Sequence, residues 1–455
     1  MCWTWRSSVS RPETTVRHGL LLALAVALCY ANALGGVFQF DDYKVIVDNP
    51  SVHSWDAWHS NDGQGIFGIR PLLKLSYLVN WISGWGVVGF HAVNLAIHLV
   101  NTWLVYRLAL CFGADLPDPA KAPRVALGTA LLFAVHPANT EAVTYVCGRS
   151  VSLMAFFYLA AVWVYAESRD QKHPFKLHVL VPALFALALS VKETAVTLVL
   201  ALLVWELVLG TDWRRIWQRQ WSSWLLLLAG ALYFLLNANY LAHMQRSLEL
   251  NTLSGNIATQ ALAFSYLLHQ WAWPLWLDID PDLPLLTSVA SAAVPLAGLA
   301  ITLWLAYLTR RQRPWISFAL LWAVAHLVPL YMVLPRLDVA NDRQLYLAAW
   351  PLGLALVSEL TLLLPRRSYR WPLGGLLLLL VFLTVARNQD YTSEIALWEA
   401  TVKLSPDKAR VHNNLGYAYR LAGRNDDARR EYTTALRLDP EHIKAQYNLE
   451  RLDLP

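Results

Sequence analysis

The sequence predicts an all-α, polytopic membrane protein of about eleven transmembrane helices, followed by a short helical-repeat tail. Three observations carry this. Of the 455 residues 56% are hydrophobic and only 15% charged, with 22 Trp, and the mean hydropathy is +0.36, well above that of an ordinary soluble chain. Apolar runs near the 17–25 or so residues needed to cross a bilayer recur along most of the length. From about residue 389 those runs stop and amphipathic patterns begin.

The runs fall near 18–36, 91–112, 125–143, 150–167, 177–195, 196–210, 222–240, 289–309, 315–334, 345–364 and 372–387. If the N-terminus is cytoplasmic, alternate connections collect the basic residues: Arg6, Arg11 and Arg17; Arg107, Lys121 and Arg124; Arg169, Lys172 and Lys176; Arg214, Arg215 and Arg219; Arg310, Arg311 and Arg313; Arg366, Arg367 and Arg370. Basic residues favour the cytoplasmic side, and this register satisfies that at each turn. The net charge of +5 is therefore a topology signal and gives no nucleic-acid interface. The register requires that 259–277 not cross fully. Its His269, Gln270, Pro274 and several Trp suit an interfacial or re-entrant segment. Arg17, the following apolar stretch and Ala31-Asn32-Ala33 also fit a cleavable signal peptide, which would leave Asp41 on the same face. Four well-separated cysteines (Cys2, Cys29, Cys111, Cys147) form no CxxC pair and indicate packing residues.

The division is thus a membrane domain over 1–388, with a long first outer loop at 37–90, and an extracytoplasmic repeat domain over 389–455. Within the tail, Leu415, Gly416, Tyr419, Ala428, Tyr432, Ala435 and Pro440 have the spacing of a tetratricopeptide repeat. Small residues at 416 and 428 let two helices approach while the tyrosines fill the space between them. Glu394, Trp398 and Pro406 echo the second helix of a preceding repeat; Gln446 and Leu449 begin a following one. Such arrays need about three repeats to stand alone. This tail is expected to lean on the membrane domain or a partner.

Four clusters of ionisable residues lie on the expected outer face. FQFDDYKVIVDNP places Asp41 beside Asp42 directly after the first span, where a partly desolvated carboxylate can act as a base towards a hydroxyl. HPANTEAVTYVCGRS holds His136, Glu141 and Arg149 at membrane depth, and charges there tend to mark a cavity or pathway. SVKETAV contributes Lys192 and Glu193; LPRLDVANDRQLYLAAWP contributes Arg336, Asp338, Asp342 and Arg343. Cations on the outer face run against the general charge bias, so an anionic ligand is expected there. The acids of the first loop could hold a divalent metal, though no ligand spacing compels one.

FDDYKVIVDNP, HPANTEAVTYVCGR, SVKETAVTLV, NDRQLYLAAWP and the repeat tail, in that order, resemble the transmembrane-and-tetratricopeptide O-mannosyltransferases and their bacterial relatives, of the GT-C class of membrane glycosyltransferases. The repeat tail is shorter than in the larger animal members. The resemblance implies a polyprenyl-phosphate monosaccharide as donor, a hydroxyl acceptor, often a protein Ser or Thr, and a catalytic acid in the first outer loop. On that pattern Asp41 is the base and Asp42 orients it or contacts the acceptor. Arg149, Lys192 and Arg343 are the candidates for the donor phosphate; His136, Glu141 and Glu193 support them. One carboxylate suffices for an inverting displacement, because a phosphate leaves without being protonated. The long polyprenyl chain stays in the bilayer, at about 0.8 kcal/mol per buried CH₂, so the enzyme must go to the lipid.

A lipid-linked sugar transporter would place charges near mid-span with symmetry between halves, and no such symmetry is visible. A non-catalytic anchor presenting repeats, or transfer to a lipid or glycan, are the other readings. The chain has no permitted Asn-x-Ser/Thr acceptor and no retrieval tetrapeptide, which favours a bacterial inner membrane with a periplasmic site over a lumenal site in the endoplasmic reticulum.

Overall fold

The computed structural model describes residues 12–60, 65, 68–113, 121–169, 173–333, 335–336, 338–365 and 368–452. Cys2, Arg6, Arg11, Lys172, Arg366 and Arg367, singled out above, lie outside them. Every regular element among the described residues is a helix. Seven helical stretches are long and apolar enough to span: Thr14–Gly35, Gly86–Gly113, Val146–Glu167, Ala290–Thr309, Pro314–Val333, Asp342–Leu363 and Arg370–Asp390. Ala122–Val135 and Lys176–Val191 are shorter apolar helices, as is Leu198–Val208, while Trp213–Leu236 opens on a basic, Trp-rich turn.

Two boundaries differ from those expected. The run expected over 125–143 stops being a continuous helix at Val135, because Pro137 lacks an N–H and holds its predecessor extended; His136 has φ −76° and ψ 123°. Three short helical turns follow, and the chain reverses before Arg149. The first loop is also shorter than expected. It contains its own helix, Pro71–Ile82, and ends where Gly86 opens the next long helix. The segment read at 259–277 is a single helix, Leu253–Ala272. Asn256 near its start donates to the carbonyls of Tyr331 and Met332, and Trp271 near its end offers its carbonyl to His136, so both ends meet the end of the bundle that carries Asp41.

The core is built on Gly86–Gly113, which packs on Ala122–Val135 and on Arg149–Glu167, with Tyr346–Leu363 and Pro314–Leu327 closing the far side. Fully buried aromatic residues, Trp205, Trp315, Trp322 and Trp350 among them, fill the seams. At the opposite end from Asp41, Glu206 is completely buried and accepts hydrogen bonds from Arg169, Arg219 and Tyr165 at 2.7–3.1 Å. This acid ties three helices through two cations. Glu206→Gln removes the counter-charge of both, and breaking such a buried pair costs about 3–5 kcal/mol. A marked fall in melting temperature in detergent is the expected result, while a wild-type melt would show the arginines to be solvated.

The tail is one complete repeat, helices Ala409–Leu421 and Asn425–Leu438, with Glu394–Leu404 before it and Ile443–Glu450 after it. A Cβ added at Gly416 would sit 2.7 Å from the Tyr432 ring, so the small residue there does admit the tyrosine. The tail leans on the membrane domain. Ser405 donates to Asp278, Lys408 to Asp280, and Arg410 to both Asp280 and Asp338.

Candidate functional site

The first helix ends in a tight turn at Ala31–Gly35, and Phe40 then takes a left-handed conformation, φ 48°. For a Phe this costs about 1–3 kcal/mol and persists only where surroundings hold it. The Phe40 ring packs edge-on against Trp398 of the tail, centroids 5.1 Å apart. Directly after this kink the two aspartates part company.

Asp42 is fully buried, one carboxylate oxygen accepting from the backbone N–H of Gln39 at 3.0 Å and the other from that of Cys147 at 2.8 Å. Burial outweighs these bonds and pushes its pKa up to about 7. It is a strut between the first loop and the 136–150 hairpin. Asp41 is only partly buried. Its backbone N–H donates to the Tyr145 hydroxyl at 3.0 Å, and its carboxylate receives no hydrogen bond from the described residues. Burial also raises its pKa, against the pull of Arg343, Lys44 and Arg410.

Arg343 lies within electrostatic reach of it, 14% exposed, with Nε 3.3 Å from Glu141 and Nη2 3.8 Å from Asp338. Its backbone N–H donates to the other oxygen of Glu141 at 2.9 Å. The buried Glu141 therefore fixes Arg343 in place, while the terminal nitrogens of the guanidinium make no hydrogen bond of normal geometry among the described residues. Glu141, Tyr145, Asp338, Arg343, Trp398 and Arg410 all line one cavity of about 10 Å³, room for about one water.

Lys192 is buried, has no hydrogen bond to its ammonium among the described residues, and lies within electrostatic reach of Arg343, Arg70 and Arg336. Burial, reinforced by these three cations, drives its pKa well below the usual ammonium value. Its neighbour Glu193 works in the opposite direction. Arg336, named in the sequence but given no role, thus joins Lys192 and Arg343.

Three other expectations are placed elsewhere. Arg149 turns away from the cavity into the bundle. It is fully buried, donates to Asn94 Oδ1 at 2.7 Å and to the carbonyls of Phe90 and Ser76, and lies over the Tyr77 and Phe90 rings. Its cation is already solvated by protein oxygens, so it locks the hairpin and does not face the hollow. Glu193 pairs with Arg70 through two hydrogen bonds of 3.0 and 2.6 Å, and this guanidinium overrides the effect of burial to hold its pKa down at about 2. His136 is buried and stacked on Trp271, accepts from the Ala138 N–H, and is kept neutral by burial, with a pKa of about 4. Among the described residues no three His, Cys, Asp or Glu gather as metal ligands would.

A tetratricopeptide repeat model matches residues 409–442. The chain is 24% identical to the protein O-mannosyl-transferase F38B6.6 of Caenorhabditis elegans, over 94% of this chain and 63% of that protein. It is 29% identical to human protein O-mannosyl-transferase TMTC1 and 27% identical to mouse protein O-mannosyl-transferase TMTC3, in each case over 95% of this chain and over 56% and 52% of the relative. It spans little more than half the length of these two relatives. No solved structure matches it. The resemblance carried by the motifs thus extends over about 95% of the chain, and its homologues there are protein O-mannosyl-transferases of the transmembrane-and-tetratricopeptide type.

Proposed function

We propose that this chain is a membrane glycosyltransferase that moves a monosaccharide from a polyprenyl-phosphate carrier to a protein hydroxyl, with Asp41 as base. One observation carries the reading: soon after the first apolar helix, a carboxylate that accepts no hydrogen bond from the described residues lies within electrostatic reach of Arg343, whose guanidinium lines a small cavity beside Phe40 and Tyr145. The hydroxyl oxygen attacks the anomeric carbon, Asp41 accepts its proton, and the bond from that carbon to the phosphate oxygen breaks on the opposite face. The phosphate stays on the lipid. Arg343, Lys192 and Arg336 stabilise its developing charge, which is where preorganised cations accelerate such a step.

Asp42 and Arg149 hold the two walls together, and Glu141 aims Arg343. The names of the relatives favour mannose as the sugar and a protein as the acceptor. A hexose exceeds the room for one water, so donor binding must part the walls. The expected topology puts the site on the extracytoplasmic face, periplasmic in a bacterial inner membrane.

The purified chain, reconstituted in vesicles with polyprenyl-phosphate mannose and a Ser/Thr-rich peptide, should yield a glycopeptide of anomeric configuration opposite to the donor's. Linkage-specific glycosidases read the outcome. Retention of configuration would require a covalent intermediate and would overturn the single-base mechanism.

A further inference from the structure

We propose that Arg410, in the tetratricopeptide segment, is a positioning residue for the transfer site: it occupies Asp338 and thereby leaves Arg343 available to the donor phosphate. This rests on the reading of Arg343 as the phosphate ligand given above.

Arg410 belongs to the first turn of the Ala409–Leu421 helix, yet none of its side-chain hydrogen bonds serves the repeat. Nε donates to Asp280 Oδ2 at 2.7 Å, and Nη2 contacts the other oxygen of Asp280 and donates to Asp338 Oδ1 at 2.7 Å. The residues that close the helix pair are Gly416, Ala428 and Tyr432, and Arg410 is not among them. Lys408 braces the same Asp280 at 2.7 Å, and Ser405 holds Asp278 at 2.7 Å while accepting from the N–H of Asp282. The repeat is therefore pinned to the 278–282 segment at several points, and Arg410 is the one that reaches through to Asp338.

Asp338 sits between two guanidinium groups, 2.7 Å from Arg410 but 3.8 Å from Arg343. Arg410, Arg336 and Arg343 together overcome burial and keep it ionised. Without Arg410 the cations left to it are Arg336 and Arg343, both assigned above to the donor phosphate, and of these Arg343 is the one in ion-pair range, at 3.8 Å, while already carrying Glu141. A second carboxylate closing on Arg343 would cancel its charge where the phosphate must bind. The charged and titratable groups around Asp41 come from four places: Asp42 and Lys44 on its own segment, Arg343 and Asp338 from the loop before the Tyr346–Leu363 helix, Arg410 from the repeat, and the neutral Tyr145 hydroxyl from the hairpin. Removing Arg410 takes away one of the cations that favour the ionised base.

The test uses the full chain and four proteins: wild type, Arg410→Gln, Asp338→Asn and the double variant. Coupled neighbours typically interact strongly enough that Arg410→Gln should raise the donor KM about tenfold. The acid limb of kcat/KM should also move to higher pH, with kcat at high pH less affected. Adding Asp338→Asn should restore the donor KM, because the competing carboxylate is gone; a merely structural contact would show no such rescue. Arg410→Lys, which keeps the charge, should fall between. Retention of polyprenyl phosphate itself, read by native mass spectrometry, should follow the same order without any need for turnover. Wild-type KM and lipid retention in Arg410→Gln, or a double variant no better than the single, would overturn the inference. Arg410-dependent lipid binding by a protein that transfers no sugar would instead remove the catalytic reading and leave this one standing.

Discussion

Asp41→Asn should lower transfer by about 10²–10⁴-fold, the range for loss of a general base, without lowering the melting temperature. The two halves of that expectation have separate causes. No described residue donates a hydrogen bond to the Asp41 carboxylate, so the amide leaves no donor stranded, and the backbone bond to Tyr145 is untouched. Chemistry alone is lost. Asp42→Asn should behave in the opposite way: both oxygens of Asp42 accept backbone N–H groups, and an amide can satisfy only one while turning its NH₂ towards the other. An unsatisfied buried donor costs about 1–3 kcal/mol, so this variant should melt early. The pH profile separates them further. Burial raises the pKa of Asp41, and the base works only when deprotonated, so kcat/KM should fall as pH drops through a value above the ordinary carboxylate range. That limb should vanish from the residual activity of Asp41→Asn. An Asp41→Asn enzyme with wild-type turnover would end the assignment.

Why the sequence could not tell these neighbours apart is itself physical. Residues 41 and 42 are the same chemical group one position apart, and the difference comes from the Cys147 N–H, delivered to Asp42 by a hairpin 105 residues away. Arg149 illustrates the same limit. A cation in a membrane-level connection was legible, but its direction was not, because the oxygens that solvate it belong to residues 55 to 73 positions earlier. Glu193 sits beside Lys192 in sequence yet bonds to Arg70, 123 positions away. Local patterns were read more safely. Apolar runs and the repeat spacing depend on neighbours within a turn or two, and the helix from Arg149 to Glu167 and those from Ala409 to Leu438 lie where those patterns put them. Arg410 left no such trace, since nothing in a repeat pattern announces a residue whose partners are all in another domain.

Gly148→Ala should be among the most destabilising single substitutions in the chain, although the backbone there is ordinary, with φ −57° and ψ −21°. Space is the constraint. An added Cβ would lie 2.1 Å from the carbonyl oxygen of Glu141 and 3.0 Å from the backbone of Ala142, and neither can rotate away as a side chain would. The hairpin between Pro137 and Arg149 closes on itself at this point, so the intruding methyl group must push the Glu141 backbone outward. Overpacking of rigid surroundings costs about 1–3 kcal/mol and occasionally more, and a contact with main chain belongs at the upper end. The displacement also travels into the site, because Glu141 is the group that fixes Arg343 through its side chain and through the Arg343 N–H. Lost activity should therefore accompany the lower melting temperature even in whatever fraction still folds. Gly374→Ala is the matched control: it lies inside the Arg370–Asp390 helix with nothing within 4 Å of its added Cβ, and Ala there should gain about 0.5–1 kcal/mol. Equal melting temperatures for the two variants would mean that the hairpin yields, and that Gly148 in the GR pair owes its place to something other than close approach.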